Sequence, residues 1–597
     1  MSHKEHWLRS NAANRTPRRL ICFDSEAVRT LNGKVEQHSF RLACASFDVL
    51  DECGELTKPT EYVTFTTTEE LWRWATGKTN TTHRTWMVAH NLSYDLRLTE
   101  SLSILPSLGY DVRQIALNDY SCWARFALHK RSLLLSDSRS WLTMPLDIVA
   151  RMLKIRRVKL PLNDDPIEKW EARCANDVKV LRAAMLGIIR FVRDENLGDF
   201  RQTGHAQASA AYRHRFMAGR SILVHWDMPA REHERRAGWT GRAEVWRHGE
   251  YRESLVEWDF QAAYARVAQR ENLPARLLGK VASPSLDRVL SRPPERRYLL
   301  NVEVETGRET VPTMHEGRIV WPVGRFQTTL WDDEVALALE HGATARISQA
   351  WIYEASPVLR DWATWILAAL DGKPPGDDPL RRAILKGWSR SLIGRFALRY
   401  PMLQFVGEEE QQDTALFWVW DADKGKPVNH LQIGDRLYRE TELQESESSA
   451  PAIMSCVMAH ARIDLWRCME TAGFDNVMYV DTDSILVNLD GHRALDKATG
   501  AGFHPGLRVK GRYREAQLRA TRNISLDGSA RVAGLPLSGR IRTDGGVDAE
   551  VWESLPVSLR RRRPSGCYVL QRSFLLSDED HRRTRCDDGL TSPIRIG

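Results

Sequence analysis

Tyr479-Val-Asp481-Thr-Asp483-Ser484 (residues 479–484) lies between two short apolar runs, VMYV (477–480) and ILV (485–487). This pattern predicts a strand, a tight acidic turn and a second strand. Aspartate is a favoured turn residue, so the plain alternative is a surface turn. Asp481 and Asp483 are two apart, so both face one side if the turn stays extended. Two carboxylates held together by apolar strands offer hard oxygen ligands of the kind Mg²⁺ takes.

Upstream, SLVEW (254–258) reads as a strand running into Asp259-Phe-Gln-Ala-Ala-Tyr264. An acid at the end of a buried strand is either a metal ligand or an N-cap for the next helix. Between these acidic segments, residues 379–398 have the pattern of a basic amphipathic helix. Arg382, Lys386 and Arg390 recur every four residues, with Gly394 one turn on, so three cations share one face. Such a stripe is a solvated basic face or a seat for a triphosphate, whose charge calls for several fixed cations.

The order of these three segments resembles motifs A, B and C of B-family DNA polymerases. DFQAAYA (259–265) is similar to motif A, Lys386-Gly-Trp-Ser-Arg390-Ser-Leu-Ile393-Gly394 to motif B, and YVDTDS to motif C. The resemblance implies two-metal nucleotidyl transfer: two Mg²⁺ ions, with Mn²⁺ as a substitute, held by Asp259 and Asp483 and supported by Asp481. It also implies that the backbone after Asp259 cradles phosphates, that Tyr264 excludes a 2′-hydroxyl, and that Lys386, Arg382 and Arg390 hold the triphosphate. Tyr479 and Arg522, the latter within LRATRNISL (518–526), fall where the family contacts the primer. Trp239 and Arg242, in Gly238-Trp-Thr-Gly241-Arg242, loosely match a linker motif that touches DNA.

The N-terminal part carries a second set of acids. Asp24 and Glu26 alternate within LICFDSEA (20–27) and so share one face of a strand. Asn91-Leu-Ser-Tyr-Asp95 follows the apolar run WMVAH (86–90), and Asp177 is read as opening a helix. In this order the four acids resemble the Exo I, II and III motifs of the family's proofreading domain. That resemblance implies an RNase H-like fold, a second pair of metals on Asp24, Glu26, Asp95 and Asp177, and contacts from Asn91, Ser138 and Lys159 to a single strand. One position departs: Arg173 stands where the family has a tyrosine that orients the attacking water.

The fold class expected is therefore α/β and multi-domain, an RNase H-like 3′-5′ exonuclease-type domain followed by a right-hand polymerase domain. The expected boundaries are a flexible basic arm at 1–19, the exonuclease-like domain at 20–200 and a linker at 201–250. Palm and fingers follow at 251–500, with insertions near 271–360 and 401–450, then a thumb at 501–570 and a frayed tail at 571–597. The compact length of 597 residues and the two insertions resemble the protein-primed replicases of phages and linear plasmids. This implies as partners a DNA template and primer, dNTPs and a separate terminal priming protein, in the cytoplasm of a bacterial host.

Composition agrees with this reading without deciding it. The net charge of +7 fits a nucleic-acid partner. The nine cysteines include no C-x-x-C pair, which argues against a zinc site or a disulfide frame. No apolar run approaches the ~20 residues of a membrane span. The 21 tryptophans are mostly core by expectation, with Trp239 and Trp388 the candidates for base stacking. Arg390, Ile393 and Ile524 replace family side chains at substrate-contact positions. They keep one rival open: a non-catalytic, polymerase-like scaffold that binds nucleic acid.

Overall fold

The computed structural model describes residues 4–597 except 119–120, 218, 373–377, 411–412, 537–538, 543–545 and 564. Its N-terminal half is organised by one strand, Arg19–Asn32, whose residues alternate between two cores. Leu20 and Cys22 face one hydrophobic cluster, and Ile21 and Phe23 face the other. A strand buried on both faces reads as a continuous apolar run, as LICF does. The strand pairs antiparallel with Val35–Val49 and parallel with Thr85–Ala89, which in turn runs parallel to Arg131–Asp137. The helix Ile167–Asp194 covers one face through Trp170, Cys174, Val178, Leu181 and Met185. This helix begins ten residues before Asp177, after Pro166, so Asp177 lies within the helix and does not open it.

The palm is a five-stranded sheet in the order Ala243–Val245, Val477–Asp481, Ser484–Val487, Leu255–Phe260, Leu507–Tyr513. The helix Pro451–Ala472 packs Leu465, Cys468 and Met469 against it. The basic helix Pro379–Arg395 packs on the exonuclease-type half, with Trp388 against the rings of Trp141 and Phe191. Both belong to one continuous core.

Several expected boundaries change. The segment 4–19 is packed, with His6–Trp7 paired to Leu223–Val224, Leu8 buried and Arg15 gripping Asp199. The expected linker holds the helices Gly204–Ala211 and Met228–Arg236, and its strand Ala243–Val245 is an edge of the palm sheet. The insertion near 401–450, read as a loop-rich hairpin, is a four-stranded antiparallel sheet. The insertion near 271–360 is also a sheet, built on Leu273–Ala282, Arg296–Thr306, Val323–Trp331 and Thr344–Ser356.

The expected thumb divides: Ala516–Ala520, Asn523–Leu526 and Ser529–Val532 stay beside the palm, but Gly546–Trp552 and Cys567–Leu575 extend the N-terminal sheet. Cys567 to Leu570 pair with His38 to Val35, which covers an edge that would otherwise leave unpaired N–H and C=O groups. The expected frayed tail is docked, with Arg595–Ile596 parallel to Val323 and Gly324. Among the described residues no helix is long and apolar enough to cross a membrane.

Candidate active sites in the palm cleft and the N-terminal sheet

The YVDTDS segment forms a hairpin in which Asp481 pairs with Ser484. The turn does not stay extended. Thr482 has φ +62, an unusual conformation for a β-branched residue, and its amide donates to the Arg242 carbonyl at 2.6 Å. The two acids therefore part company. Asp481 accepts from the Tyr479 hydroxyl (3.2 Å) and the Thr482 hydroxyl (2.9 Å) and faces Arg522 at 3.5 Å. Asp483 turns towards Asp259. Burial, followed by the charge of Asp259, pushes the Asp483 carboxyl up to about 6.

Asp259 is the penultimate residue of the strand Leu255–Phe260, opposite Ser484 and Arg508 on its two neighbours. The Phe260 amide donates to the Asp483 carbonyl (2.8 Å) and the Gln261 amide to the Gly506 carbonyl (2.9 Å). Those two amides are therefore spent on holding the fold. Ala262 has φ +53, and the amides that follow it begin the helix Ala263–Arg270, where they lack an intrahelical acceptor.

These groups line one cleft of about 850 Å³. Of the residues singled out from sequence, Asp259, Tyr264, Arg382, Lys386, Arg390, Tyr479, Asp481, Asp483 and Arg522 all reach it. Lys386 and Arg390 are exposed on their helix, whereas Arg382 already donates to the carbonyls of Leu370 (2.6 Å) and Gly372 (3.4 Å). Ile393 is buried in the core, while Ile524 lines the cleft.

Sequence reasoning missed Arg508, Lys510 and Arg531, which line the cleft on the side of Asp259. The alternation Arg508-x-Lys510 in LRVKGRY (507–513) was the readable signal, since it puts two cations on one strand face. Lys510 also bonds Glu257 at 2.9 Å, as does Arg531 at 3.0 Å. Burial favours protonation of Glu257, but the Lys510 and Tyr513 hydrogen bonds hold it below the usual range.

Trp239, Arg242 and Trp388 do not contact the cleft. Trp239 is buried in the insertion's core, and its indole N–H donates to the Thr329 carbonyl. Arg242 is 3% exposed and bonded to Glu244, and Trp388 is 2% exposed. The segment 238–242 is instead a clamp. Arg462 holds the Trp239 carbonyl, and Gly241 lies so close to the hairpin that a Cβ would sit 2.5 Å from the Thr482 Cγ2. Gly241→Ala must therefore shift the turn that carries Asp483.

In the N-terminal sheet, carboxylate oxygens of Asp24, Glu26 and Asp177 lie within 4.8 Å of one another. Asp95 is beneath them, 2% exposed, accepting a 2.5 Å hydrogen bond from the Ser25 hydroxyl. Burial, then the charges of Asp177 and Glu26, raise Asp24 well above the carboxylate range; burial raises Asp95 likewise, and Glu26 to about 7. Asn91 sits at φ 84 with its side-chain carbonyl accepting from Arg139.

Ser138 is fully buried against His90 and cannot meet a strand. Lys159 points to solvent, and it is Arg157 that enters the site, with Nε 3.0 Å and Nη2 2.7 Å from the two oxygens of Asp177. Arg173 adds a contact at 2.8 Å to Asp177 and faces Glu26 at 3.8 Å.

The two sites differ in their fit to divalent metal. In the palm, Asp259 and Asp483 converge, and the Arg508 guanidinium stays 4.0 Å from Asp259. Two converging, partly desolvated carboxylates fit a hard cation. In the N-terminal site both oxygens of Asp177 are already held by guanidinium groups. These carboxylates do not fit a pair of metals in this arrangement.

No family model matches the sequence, and no curated protein matches it. Solved structures do. Phi29 DNA polymerase complexed with primer-template DNA (post-translocation binary complex) superposes with a TM-score of 0.66 at 13% identity, covering 94% of this chain and 100% of that one. The same polymerase with primer-template DNA and incoming nucleotide substrates gives 0.65 at 13% identity, with coverage of 94% and 100%. Its complex with single-stranded DNA gives 0.66 at 14%, again over 94% and 100%. The chain thus has the fold of a B-family DNA polymerase of the phi29 kind, an exonuclease-type domain followed by a right-hand polymerase domain.

Proposed function

We propose that this protein is a template-directed DNA polymerase that adds dNTPs to a primer 3′-hydroxyl in the palm cleft. The observation that carries the reading is the convergence of Asp259 and Asp483 in a cleft where the basic helix presents Lys386 and Arg390, and the strand beside Asp259 adds Lys510. Asp259 and Asp483 would hold the divalent cations, Mg²⁺ first and Mn²⁺ as substitute, which when bound activate the 3′-hydroxyl and neutralise the triphosphate. Lys386 and Arg390 donate to non-bridging phosphate oxygens, and Arg382, fixed to two carbonyls, sets the end of that stripe. Tyr264 lines the cleft and is assigned to exclude a ribose 2′-hydroxyl. Arg522, which faces Asp481 at 3.5 Å, would contact the primer backbone.

Lys386→Ala removes one charge-assisted contact, worth about 1.5–3 kcal/mol. The apparent KM for dNTP is expected to rise about 10- to 100-fold, with kcat changed less, in steady-state extension.

The deciding experiment is primer extension on a primed template with Mg²⁺ and four dNTPs. Template-dependent products carry the proposal. Tight DNA binding without extension, under any primer or metal, favours the scaffold reading, which the hydrocarbon at Ile524 in the cleft supports. Priming by a separate terminal protein rests on the resemblance to compact protein-primed replicases alone. It predicts that a purified priming protein supplies the first hydroxyl on an unprimed linear template.

A further inference from the structure

The N-terminal site keeps four acids but meets them with two arginines. Both are built into the site by the backbone. The extended stretch 156–158 is pinned to the helix Ile167–Asp194 on both sides: Asn176 accepts from the Val158 amide at 3.0 Å and donates to the Arg156 carbonyl at 3.2 Å. Arg173 itself donates to the Val158 carbonyl. This lacing aims Arg157 at Asp177 in a bidentate grip, a geometry that fixes direction as well as charge. Arg173 and Asp177 are one helical turn apart, so the same helix presents acid and counter-cation together.

The Arg173 side chain is 10% exposed, the Asp177 side chain 4%. The Arg173 Nε, though buried, has no hydrogen-bond partner and points towards Glu26 Oε1 at 3.8 Å. A buried guanidinium N–H without a hydrogen bond costs free energy, which the nearby Glu26 charge offsets in part.

We propose that Arg157 and Arg173 are resident counter-cations that stand in place of divalent metal in the N-terminal site, so that it holds a single-stranded DNA end through its phosphates without excising it. The ligand class is a phosphodiester. The outer edge of Arg157, whose side chain is 27% exposed, supplies donors for its oxygens, and Arg173 adds its charge from beneath. The two guanidinium groups bring half the charge of two divalent metals, and displacing Arg173 from Asp177 would leave a buried cation unpaired. This inference is independent of the chemistry in the palm.

The test uses the full chain. Mn²⁺ binding is counted by electron paramagnetic resonance in the wild type, Asp483→Asn and Asp24→Asn. Asp24→Asn is expected to bind as many ions as the wild type, and Asp483→Asn fewer. In EDTA, fluorescence anisotropy of a labelled oligothymidylate is expected to show binding at least about fivefold weaker for Arg157→Gln and for Arg173→Gln, and not weaker for Asp24→Asn. A Mn²⁺ ion lost in Asp24→Asn, or Asp24-dependent shortening of a labelled oligonucleotide by the wild type, overturns the metal-free assignment. Unchanged affinity in well-folded arginine variants overturns the holding role. If those variants do not fold, the Mn²⁺ count and the shortening assay on the wild type and Asp24→Asn still decide.

Discussion

Asp483→Asn is expected to lower templated extension by at least about a thousandfold while primer-template affinity stays within about threefold. The substitution keeps the shape of the side chain but removes one of the two carboxylates that converge in the cleft. Deleting a preorganised charge partner in a reaction that moves phosphoryl charge removes stabilisation made mainly in the transition state. DNA affinity rests on phosphate contacts to cations elsewhere and is largely spared. Residual extension above one part in ten of the wild type would show that Asp483 is not a principal ligand.

The same variant carries an opposite stability signature. Burial and Asp259 raise the Asp483 carboxyl to about 6 from its ordinary 3.8. A raised carboxyl favours the protonated fold, so its contribution is complete below about pH 4 and is lost as pH rises through about 6. Above that pH the charged Asp483 strains the metal-free protein, by as much as about 3 kcal/mol. Asp483→Asn should therefore unfold at a higher temperature than the wild type at pH 8 in EDTA, and at a similar temperature at pH 4. Added Mg²⁺ should raise the wild-type midpoint and leave the variant's unchanged. A variant less stable than the wild type at pH 8 would contradict the electrostatic account of this pair.

Arg583→Ala is expected to destabilise the chain by about 3–5 kcal/mol, although it lies 14 residues from the C-terminus. Arg583 is 3% exposed. It reaches Glu309 at 3.1 Å and Glu244 at 3.5 Å, and its guanidinium lies 4.1 Å from the centre of the Trp246 ring. Arg242 meets the same acids from the other side, bonding Glu244 at 2.7 Å and the Glu309 carbonyl at 2.9 Å.

Two arginines and two glutamates thus balance in a dry pocket beneath the palm edge. Removing one cation leaves a buried carboxylate uncompensated, which costs far more than losing an exposed ion pair. The double substitution Arg583→Met with Glu309→Gln should recover much of the loss, because it removes charge from both sides. The readout is the midpoint of chemical unfolding. A single-variant loss under about 1 kcal/mol would mean that the tail rests on the palm without anchoring it.

What the sequence by itself determined is chemistry carried by neighbours along the chain. The apolar run LICF (20–23) marked a strand, and a strand's period of two put Asp24 and Glu26 on one of its faces. The spacing of Arg382, Lys386 and Arg390 placed three cations on one helix face, because that face repeats every 3.6 residues. YVDTDS announced a hairpin because its apolar runs flank turn-forming acids.

Only the tertiary structure decided which of these faces meet. That Asp481 turns to Arg522 while Asp483 turns to Asp259 depends on a backbone bond from Thr482 to Arg242, which no periodicity encodes. Trp239 and Trp388 carry the same ring as an exposed stacking residue, and their burial is set by partners far along the chain, Thr329 for one and Trp141 with Phe191 for the other. Arg157 was passed over for Lys159 because a basic run has no local marker for the side chain that a distant helix will claim. The docking of Cys567–Leu575 on the N-terminal sheet was illegible for a further reason: an open strand edge is satisfied by backbone groups that every non-proline residue carries, so the pairing leaves almost no signature in side-chain identity.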